Sequence, residues 1–452
     1  MTLSKTLIAA AITLLSAVDA GATPTAAEAA QLGKTLTPTG AEKAGNKDGT
    51  IPEWTGGLCK PPADYKPLNG VSGSPHVDPF ASEKPLYSVT AANAGQYADK
   101  LDDGQKNLFK LYPQTFRIDV YPTHRTSCMP DWVYENTMKR VMSPKLVGDA
   151  PGLEGAHAQI PFPIAKTGYE AMYNFAAAYH PVYFGGDWHT WLVDSAGNKT
   201  MVTRSTVRYR FDYWDNAKTE ADELSALINT NNGPASKSGS MDMRVQWLRS
   251  DQKDPKAWSY TPGQRRVRLA PEFTYDTVAA QYGGLIVFDE INGFDGKMDR
   301  FDFKLAGKKE LLIPYNAYKY FNAPLDQQLT KSHHNPDLVR HELHRVWVVE
   351  ATRKPGARHI YSKKVFYLDE DSWTVVAYQA YDDTGKLYRA QWYPIWQAYD
   401  LPAPLAQNLI AYDFVKNGWA MGSTPVDSGW RKIEPLPVNY FTPDSMAAMG
   451  VR

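Results

Sequence analysis

Residues 345–393 contain four runs rich in β-branched and aromatic residues: RVWVVEA (345–351), IYSKKVFYL (360–368), TVVAYQAYD (374–382) and LYRAQWY (387–393). The breaks between the runs are short and turn-like, with KPGA at 354–357, DEDS at 369–372 and DDTG at 382–385. This pattern predicts an antiparallel meander. The meander carries no catalytic constellation, and an apolar sheet without chemistry is more typical of a binding protein than of an enzyme.

Upstream segments continue the strand pattern. In residues 199–214, Val207, Tyr209 and Phe211 alternate with Arg208 and Arg210, as expected of a strand with one buried face. Further strands are predicted at 188–193, 241–248, 264–269, 285–288, 297–305 and 310–315.

Helices are predicted at 24–33, 90–112, 130–142, 167–179 and 216–231, the fourth from a capping box that runs from Thr167 to Glu170. Residues 36–85 are rich in Gly and Pro, and residues 397–451 are Pro-rich, so both are predicted to wrap around the outside. We therefore expect an α+β fold, a large antiparallel sheet closed by helices. The expected division is a signal peptide (1–20), an N-terminal extension with helices packing on the sheet (21–180), the sheet region (181–396) and a Pro-rich wrap (397–452). Because no linker separates these parts, residues 21–452 are expected to form one domain.

The first residues predict export. Lys5 precedes a short apolar run at 7–15, and small residues follow, so cleavage is expected after Ala20 or Ala22. The run is too short to be a membrane anchor, which needs about 20 apolar residues. The expected location of the mature chain is a bacterial periplasm.

Two cysteines, Cys59 and Cys128, agree with export. An even count in an oxidising compartment favours one disulfide. The alternative is two buried free thiols.

The formal charge is zero, from 49 basic and 49 acidic residues. A neutral chain has no electrostatic footprint for nucleic acid. Nucleic acid is therefore not an expected partner.

Two incomplete metal motifs are present. His341-Glu-Leu-His344 lacks the spacing of a zinc-protease helix, although four histidines lie within residues 333–344. In AGNKDGTI (44–51), Ala44 stands where a calcium loop has its first carboxylate, so a tight turn is favoured. We expect no metal and no cofactor.

Catalytic motifs are also missing from the sequence, which has no nucleophile elbow, phosphate-binding loop or dinucleotide fingerprint. Cys128 lies near His124, but a disulfide is favoured over a nucleophile. Two arginine stripes, 204–210 and 265–268, would suit an anionic head group, yet a solvated sheet face with cross-strand pairs is favoured. No catalytic residue is predicted.

Three segments resemble an uncharacterised family of exported proteobacterial proteins related in fold to the lipoprotein carriers LolA and LolB: LTPTGAEKAGNKDGTIPEWTGG (36–57), VYPTHR (120–125) and IPFPIAKTG (160–168). The resemblance extends over nearly all of the mature chain. It implies a curved, incomplete barrel closed by helices over an apolar cavity. It also implies partnership with an RND-type exporter and an outer-membrane β-barrel protein.

A lipid in water needs its apolar surface covered, and a concave apolar sheet supplies that cover. The cavity lining is predicted to be Val267, Leu269, Ile286, Phe288, Phe301, Phe303, Val346 and Val348. The alternative is that these residues form a filled core. The first functional hypothesis is a non-enzymatic carrier or adaptor for a lipid or other hydrophobic molecule. The alternatives are a ligand-free structural subunit of an envelope complex, and a secreted hydrolase or sugar-binding protein.

Overall fold

The computed structural model describes residues 23–271, 273–406, 408–423 and 429–450. Its strands are β1 (Tyr87–Thr90), β2 (Arg117–Val120), β3 (Lys145–Val147), β4 (Gly152–Glu154), β5 (Tyr183–Val193), β6 (Lys199–Arg210), β7 (Glu223–Gly233), β8 (Met241–Trp247), β9 (Lys256–Thr261), β10 (Arg266–Leu269), β11 (Phe301–Pro314), β12 (His341–Arg353), β13 (Lys363–Asp369), β14 (Val375–Tyr381), β15 (Leu387–Trp392), β16 (Trp396–Ala398), β17 (Ala403–Leu405), β18 (Leu409–Asp413), β19 (Gly418–Ser423) and β20 (Trp430–Lys432). Its α-helices are α1 (Ala26–Ala29), α2 (Asp103–Leu111), α3 (Asp131–Lys139), α4 (Gly168–Ala176), α5 (Tyr318–Asn322), α6 (Leu325–Gln328) and α7 (Pro443–Gly450). The predicted signal peptide lies outside the described residues.

One sheet of sixteen strands organises the fold. Its order is β1-β2-β12-β13-β14-β15-β18-β19-β5-β6-β7-β8-β9-β10, with β11 paired to β12 and β20 paired to β5. Pairing is antiparallel except for a single parallel bridge between Val120 and His341. Within the described residues the end strands β1 and β10 do not pair with each other, so the curved sheet is not closed into a barrel. The predicted fold class is confirmed.

The meander predicted from residues 345–393 is confirmed. Strands β12 to β15 are antiparallel neighbours in chain order, with Val348 opposite Tyr367 and Ala377 opposite Trp392. Their side chains are almost all buried on both faces. Continuous apolar runs are typical of strands in this position.

The interpretation of residues 397–451 as an outer wrap is wrong for residues 409–423. Strands β18 and β19 lie inside the sheet, between β15 and β5. All of Leu409–Asp413 is buried. The apolar run at 409–413 is short and lies close to Pro402 and Pro404. These prolines favoured the interpretation as an outer wrap. The division of the chain at residues 20, 180 and 396 stays a prediction.

The helix predicted at 216–231 is also wrong, because residues 223–233 form β7. Leu, Ala and Glu favour a helix when considered alone. Here β7 pairs with β6 on one side and with β8 on the other, and this tertiary pairing overrides the local preference.

Two strand predictions need correction. Residues 297–305 and 310–315 belong largely to one long strand, β11, whose register shifts between Leu305 and Gly307. Gly307 has a φ of 108°, which a residue with a side chain rarely adopts. Residues 285–288 contribute only a bridge between Val278 and Val287 before a short 3₁₀ helix begins at Phe288.

Helices cover the sheet at two places. The N-terminus of α4 packs on β11 so closely that a Cβ on Gly168 would stand 2.5 Å from the Phe303 carbonyl carbon. The predicted capping box at Thr167 and Glu170 is present. On the other half of the sheet, α7 packs on β9 and β10 over a second apolar core that includes Ile228.

Residues 36–57 form an extended segment that is fastened to the body of the protein. A disulfide joins Cys59 to Cys128, as predicted, with their Cα atoms 5.5 Å apart. The Arg345 guanidinium donates to the carbonyls of Glu42 and Ala44 at 3.0 and 2.7 Å. The Trp373 indole donates to the Thr39 carbonyl at 2.8 Å.

Candidate ligand cavity

Strands β6, β7 and β8 form one wall of a cavity. Their register places Tyr209 beside Leu227, and Leu227 beside Arg244. Alternate residues of a strand face the same side of the sheet. The neighbouring row, Val207, Asn229 and Asp242, therefore faces the same side of the sheet as Leu227. Ile228 faces the opposite side and packs in the core under α7.

That next row is more polar. Val207 stands opposite Asn229, which stands opposite Asp242. The wall thus changes from apolar to polar along the direction of the strands.

The other walls come from separate parts of the chain: the end of α4, residues 292–295, residues 374–375 and residues 404–406. The enclosed volume is about 110 Å³. Phe175, Ala178, Phe211 and Phe294 give these walls an apolar surface. Because Asn292 at the rim is exposed, the cavity opens to solvent.

His180 belongs to the apolar lining. Its ring stacks on Phe211 with centroids 4.4 Å apart, and its Nδ1 donates to the Ala178 carbonyl at 2.9 Å. Burial lowers the pKa of His180 to about 4. The imidazole is therefore neutral at pH 7 and adds no charge to the cavity.

A second void of about 40 Å³ lies beside the first. Tyr209, Leu227, Arg244 and Asn292 line both. The second void has a polar floor that includes Asp242, whose pKa is raised by burial.

Two polar pairs lie beside these voids. Arg244, which lines both voids, is paired with Asp295 of the first cavity, and Asp295 also accepts from the Gln246 amide. Asn229 donates to Asp242 at 3.0 Å.

The eight sequence-predicted lining residues lie elsewhere. Ile286, Phe288, Phe301, Phe303, Val346 and Val348 are buried in the main core, Val267 is half-buried beside the second core, and Leu269 is 57% exposed. The Phe303 ring lies 5.8 Å from the ring of Phe294, which does line the cavity. None of the eight is among the described residues that line the cavity. Their role as a lining stays a prediction.

The sequence did contain a signal for the observed wall. The alternation of Val207, Tyr209 and Phe211 marked a buried face, and all three border the cavity or its extension. The neighbouring wall was missed because residues 216–231 were predicted as a helix, which removed Leu227 and Asn229 from the sheet.

The histidine-rich segment contributes to a buried ionic cluster. Among the described residues, only His344, Asp369 and Asp371 bring metal-ligand atoms within 4.8 Å of one another. Both oxygens of Asp371 accept from Arg125, and Nε2 of His344 bonds Glu342 at 3.0 Å. These partners already account for two of the three groups, so the arrangement is that of a structural ion-pair network.

Two other sequence motifs have structural explanations. In residues 44–51, the Asp48 carboxylate accepts from the Thr50 backbone and hydroxyl, which closes a tight turn. On the face of β6 that lies opposite the cavity, Arg210 pairs with Glu223 of β7 at 2.8 Å and lies over the Phe441 ring. The arginine stripe thus includes a cross-strand ion pair.

The comparisons with known proteins identify a family. The family described as "Protein of unknown function (DUF1329)" matches residues 88–447. The chain belongs to this family. It is 36% identical to the uncharacterized protein PA3922 of Pseudomonas aeruginosa over 464 positions, which cover 97% of this chain and 96% of that protein.

Solved structures match the DUF1329 chain over part of its length. A DUF1329 family protein from Desulfovibrio piger is 12% identical, with a TM-score of 0.44, and the match covers 62% of this chain and 97% of that one. A LolA superfamily protein from Nitrosomonas europaea is 13% identical, with a TM-score of 0.35, and covers 62% and 99%. None of the described helices is long and apolar enough to cross a lipid bilayer.

Proposed function

We propose that this DUF1329 protein is a periplasmic, non-enzymatic carrier or adaptor for a lipid or other hydrophobic molecule. The observation that supports it is the aromatic cavity between β6–β8 and the end of α4, which opens at Asn292. Enclosing an apolar group there removes its surface from water at about 25 cal/mol per Å². Such a site binds without any reacting group.

The volume limits how the cavity works. About 110 Å³ is smaller than the roughly 300–1,000 Å³ of typical small-molecule sites. A long acyl chain therefore requires the walls to separate. Residues 292–295 lie at the end of a 3₁₀ helix, and Ala406 directly follows β17. We propose that these two segments move when ligand enters.

The experiment is to purify the exported chain without detergent, record native mass spectra and extract bound molecules into organic solvent. A stoichiometric lipid in the extract supports the carrier. A ligand-free mass, with no uptake from added lipids, contradicts it.

A matched pair of variants locates the bound molecule. Ser225 lines the cavity from β7 and is half-buried. Ser225→Trp fills the cavity and should abolish uptake, whereas Ser225→Thr should retain it. Equal uptake by both variants would place the ligand elsewhere.

The small volume also favours one alternative, a ligand-free structural subunit of an envelope complex. In either role the proposed partners are an RND-family exporter and an outer-membrane β-barrel protein. Affinity purification from cross-linked cells tests the partners. Recovery of an exporter with a ligand-free protein would favour the structural role.

A further inference from the structure

We propose that the cargo's polar end is uncharged and bears hydroxyl groups, and that it occupies the second void beside Ser205, Asn229 and Arg244. This inference rests on the proposed carrier function and names the chemical class of the cargo. The apolar part of the molecule would lie in the first cavity, which shares Tyr209, Leu227, Arg244 and Asn292 with the second void.

The second void has unused hydrogen-bonding groups of both kinds. The Ser205 hydroxyl, the Asn229 carbonyl oxygen and the Arg244 Nε–H are buried, and none of them has a partner among the described residues. Ser205 is only 1% exposed and lines the void. A buried polar group left unpaired is costly, so each is a position where a ligand group gains a bond.

Hydroxyls match this mixture. A hydroxyl both donates and accepts, so it can donate to the Asn229 oxygen and accept from Arg244 Nε–H. A carboxylate or phosphodiester accepts only, and it would leave the Asn229 oxygen unpaired. A void of about 40 Å³ exceeds the roughly 10–15 Å³ that one water needs, so a small polar group fits.

The charged groups near the second void give an independent reason why an anionic ligand should bind weakly there. Arg244 is the cation among the described residues that line this void, and its guanidinium already forms an ion pair with Asp295. An anionic ligand would have to displace Asp295 from Arg244, so its binding is disfavoured electrostatically.

The aromatic walls suit a neutral polar end. Trp188, Tyr209 and Trp430 line the void, with the Trp430 ring 5.9 Å from Trp188 and 6.1 Å from Tyr209. Such rings cover the C–H faces of a polyol while its hydroxyls reach the polar floor.

The test compares probes that have a single lauroyl or dodecyl chain and different polar ends: glycerol monolaurate, laurate and dodecylphosphocholine. Each displaces a fluorescent apolar probe from the full exported chain at pH 7.5, below its micelle concentration. We expect glycerol monolaurate to bind at least tenfold more tightly than laurate or dodecylphosphocholine. Equal binding, or tighter binding of laurate, overturns the inference and leaves the carrier function intact. If no probe binds, the carrier function itself fails.

Two variants test the assignment within the site. Asp295→Asn frees Arg244 and should raise laurate affinity about tenfold, with glycerol monolaurate changed less than twofold. Ser205→Ala removes one hydroxyl and should weaken glycerol monolaurate several-fold without affecting laurate. If Asp295→Asn does not fold, the wild-type comparison still decides. Parallel changes for both ligands in Ser205→Ala would contradict the placement.

Discussion

Arg125 and Asp371 form a two-bond ion pair inside the protein. Nε donates to Oδ2 at 2.9 Å and Nη2 donates to Oδ1 at 2.6 Å, and both side chains are only 3% exposed. Arg125 also donates to the carbonyls of Glu42 and Lys43. The pair therefore connects the meander to residues 36–57, two regions far apart in sequence.

Removing Arg125 should cost stability. Arg125→Ala leaves the Asp371 carboxylate buried and unpaired, and breaking such a pair typically costs about 3–5 kcal/mol. Arg125→Lys keeps the charge but loses the forked geometry, so an intermediate loss is expected. Urea denaturation measures the free energy of unfolding for both. A loss below about 1 kcal/mol for Arg125→Ala would mean that the ion pair does not stabilise the contact between residues 36–57 and the meander.

The disulfide should contribute a similar amount. Cys59 and Cys128 close a loop with a sequence separation of 69. In the chain-entropy model, a loop of that length gives about 4 kcal/mol. Cys59→Ser/Cys128→Ser should lower the free energy of unfolding by that order, and dithiothreitol should reproduce the loss in the wild type only. Equal sensitivity of the double variant to reductant would contradict this.

Phe301 and Leu269 were both predicted to line a cavity, and the structure places them in different environments. Phe301 is 3% exposed beside the His359 ring, 5.0 Å away, whereas Leu269 is 57% exposed. Phe301→Ala should therefore cost about 3–5 kcal/mol, and Leu269→Ala should stay within about 0.5 kcal/mol. Thermal unfolding compares the two. Similar melting temperatures would mean that Phe301 lines a space and does not fill a core.

Acid should lower the stability of the fold through His180. Burial lowers its folded pKa to about 4, below the unfolded value of about 6.5. Between pH 6.5 and 4 the unfolded chain binds a proton that the folded chain excludes, so stability falls as the pH falls. Above pH 6.5 this contribution is fully present.

The matched variant is His180→Phe, which keeps the stacking on Phe211 without a titrating group. Its free energy of unfolding should fall less steeply than that of the wild type from pH 6.5 to 4. Because His341, with a pKa of about 4, also contributes to the slope, part of it should remain. Identical slopes in the two proteins would show that His180 is not the group that titrates.

Sequence patterns predicted the meander and the half-buried strand at Val207 and Tyr209, because periodicity there reports burial directly. They failed at Leu227, where helix-forming composition hid a strand that is paired on both sides. They also failed at 409–413, where a five-residue run gave too little signal. The cavity could not be predicted from local sequence patterns either. Its walls join β6–β8 to Phe175, Phe294 and Ala406, and no local pattern reports that these distant segments meet.

The position of β18 and β19 constrains the order of assembly. They are the hydrogen-bonding bridge between the meander half and the half that contains the cavity wall. Until residues 409–423 leave the ribosome, β15 and β5 have open edges, which are templates for aggregation. Pairings such as Val193 with Trp419 span half of the chain, and contacts of such long range form slowly. A nascent chain therefore keeps its cavity wall apart from the rest of the sheet until those late residues arrive, and both strand edges stay exposed during that interval.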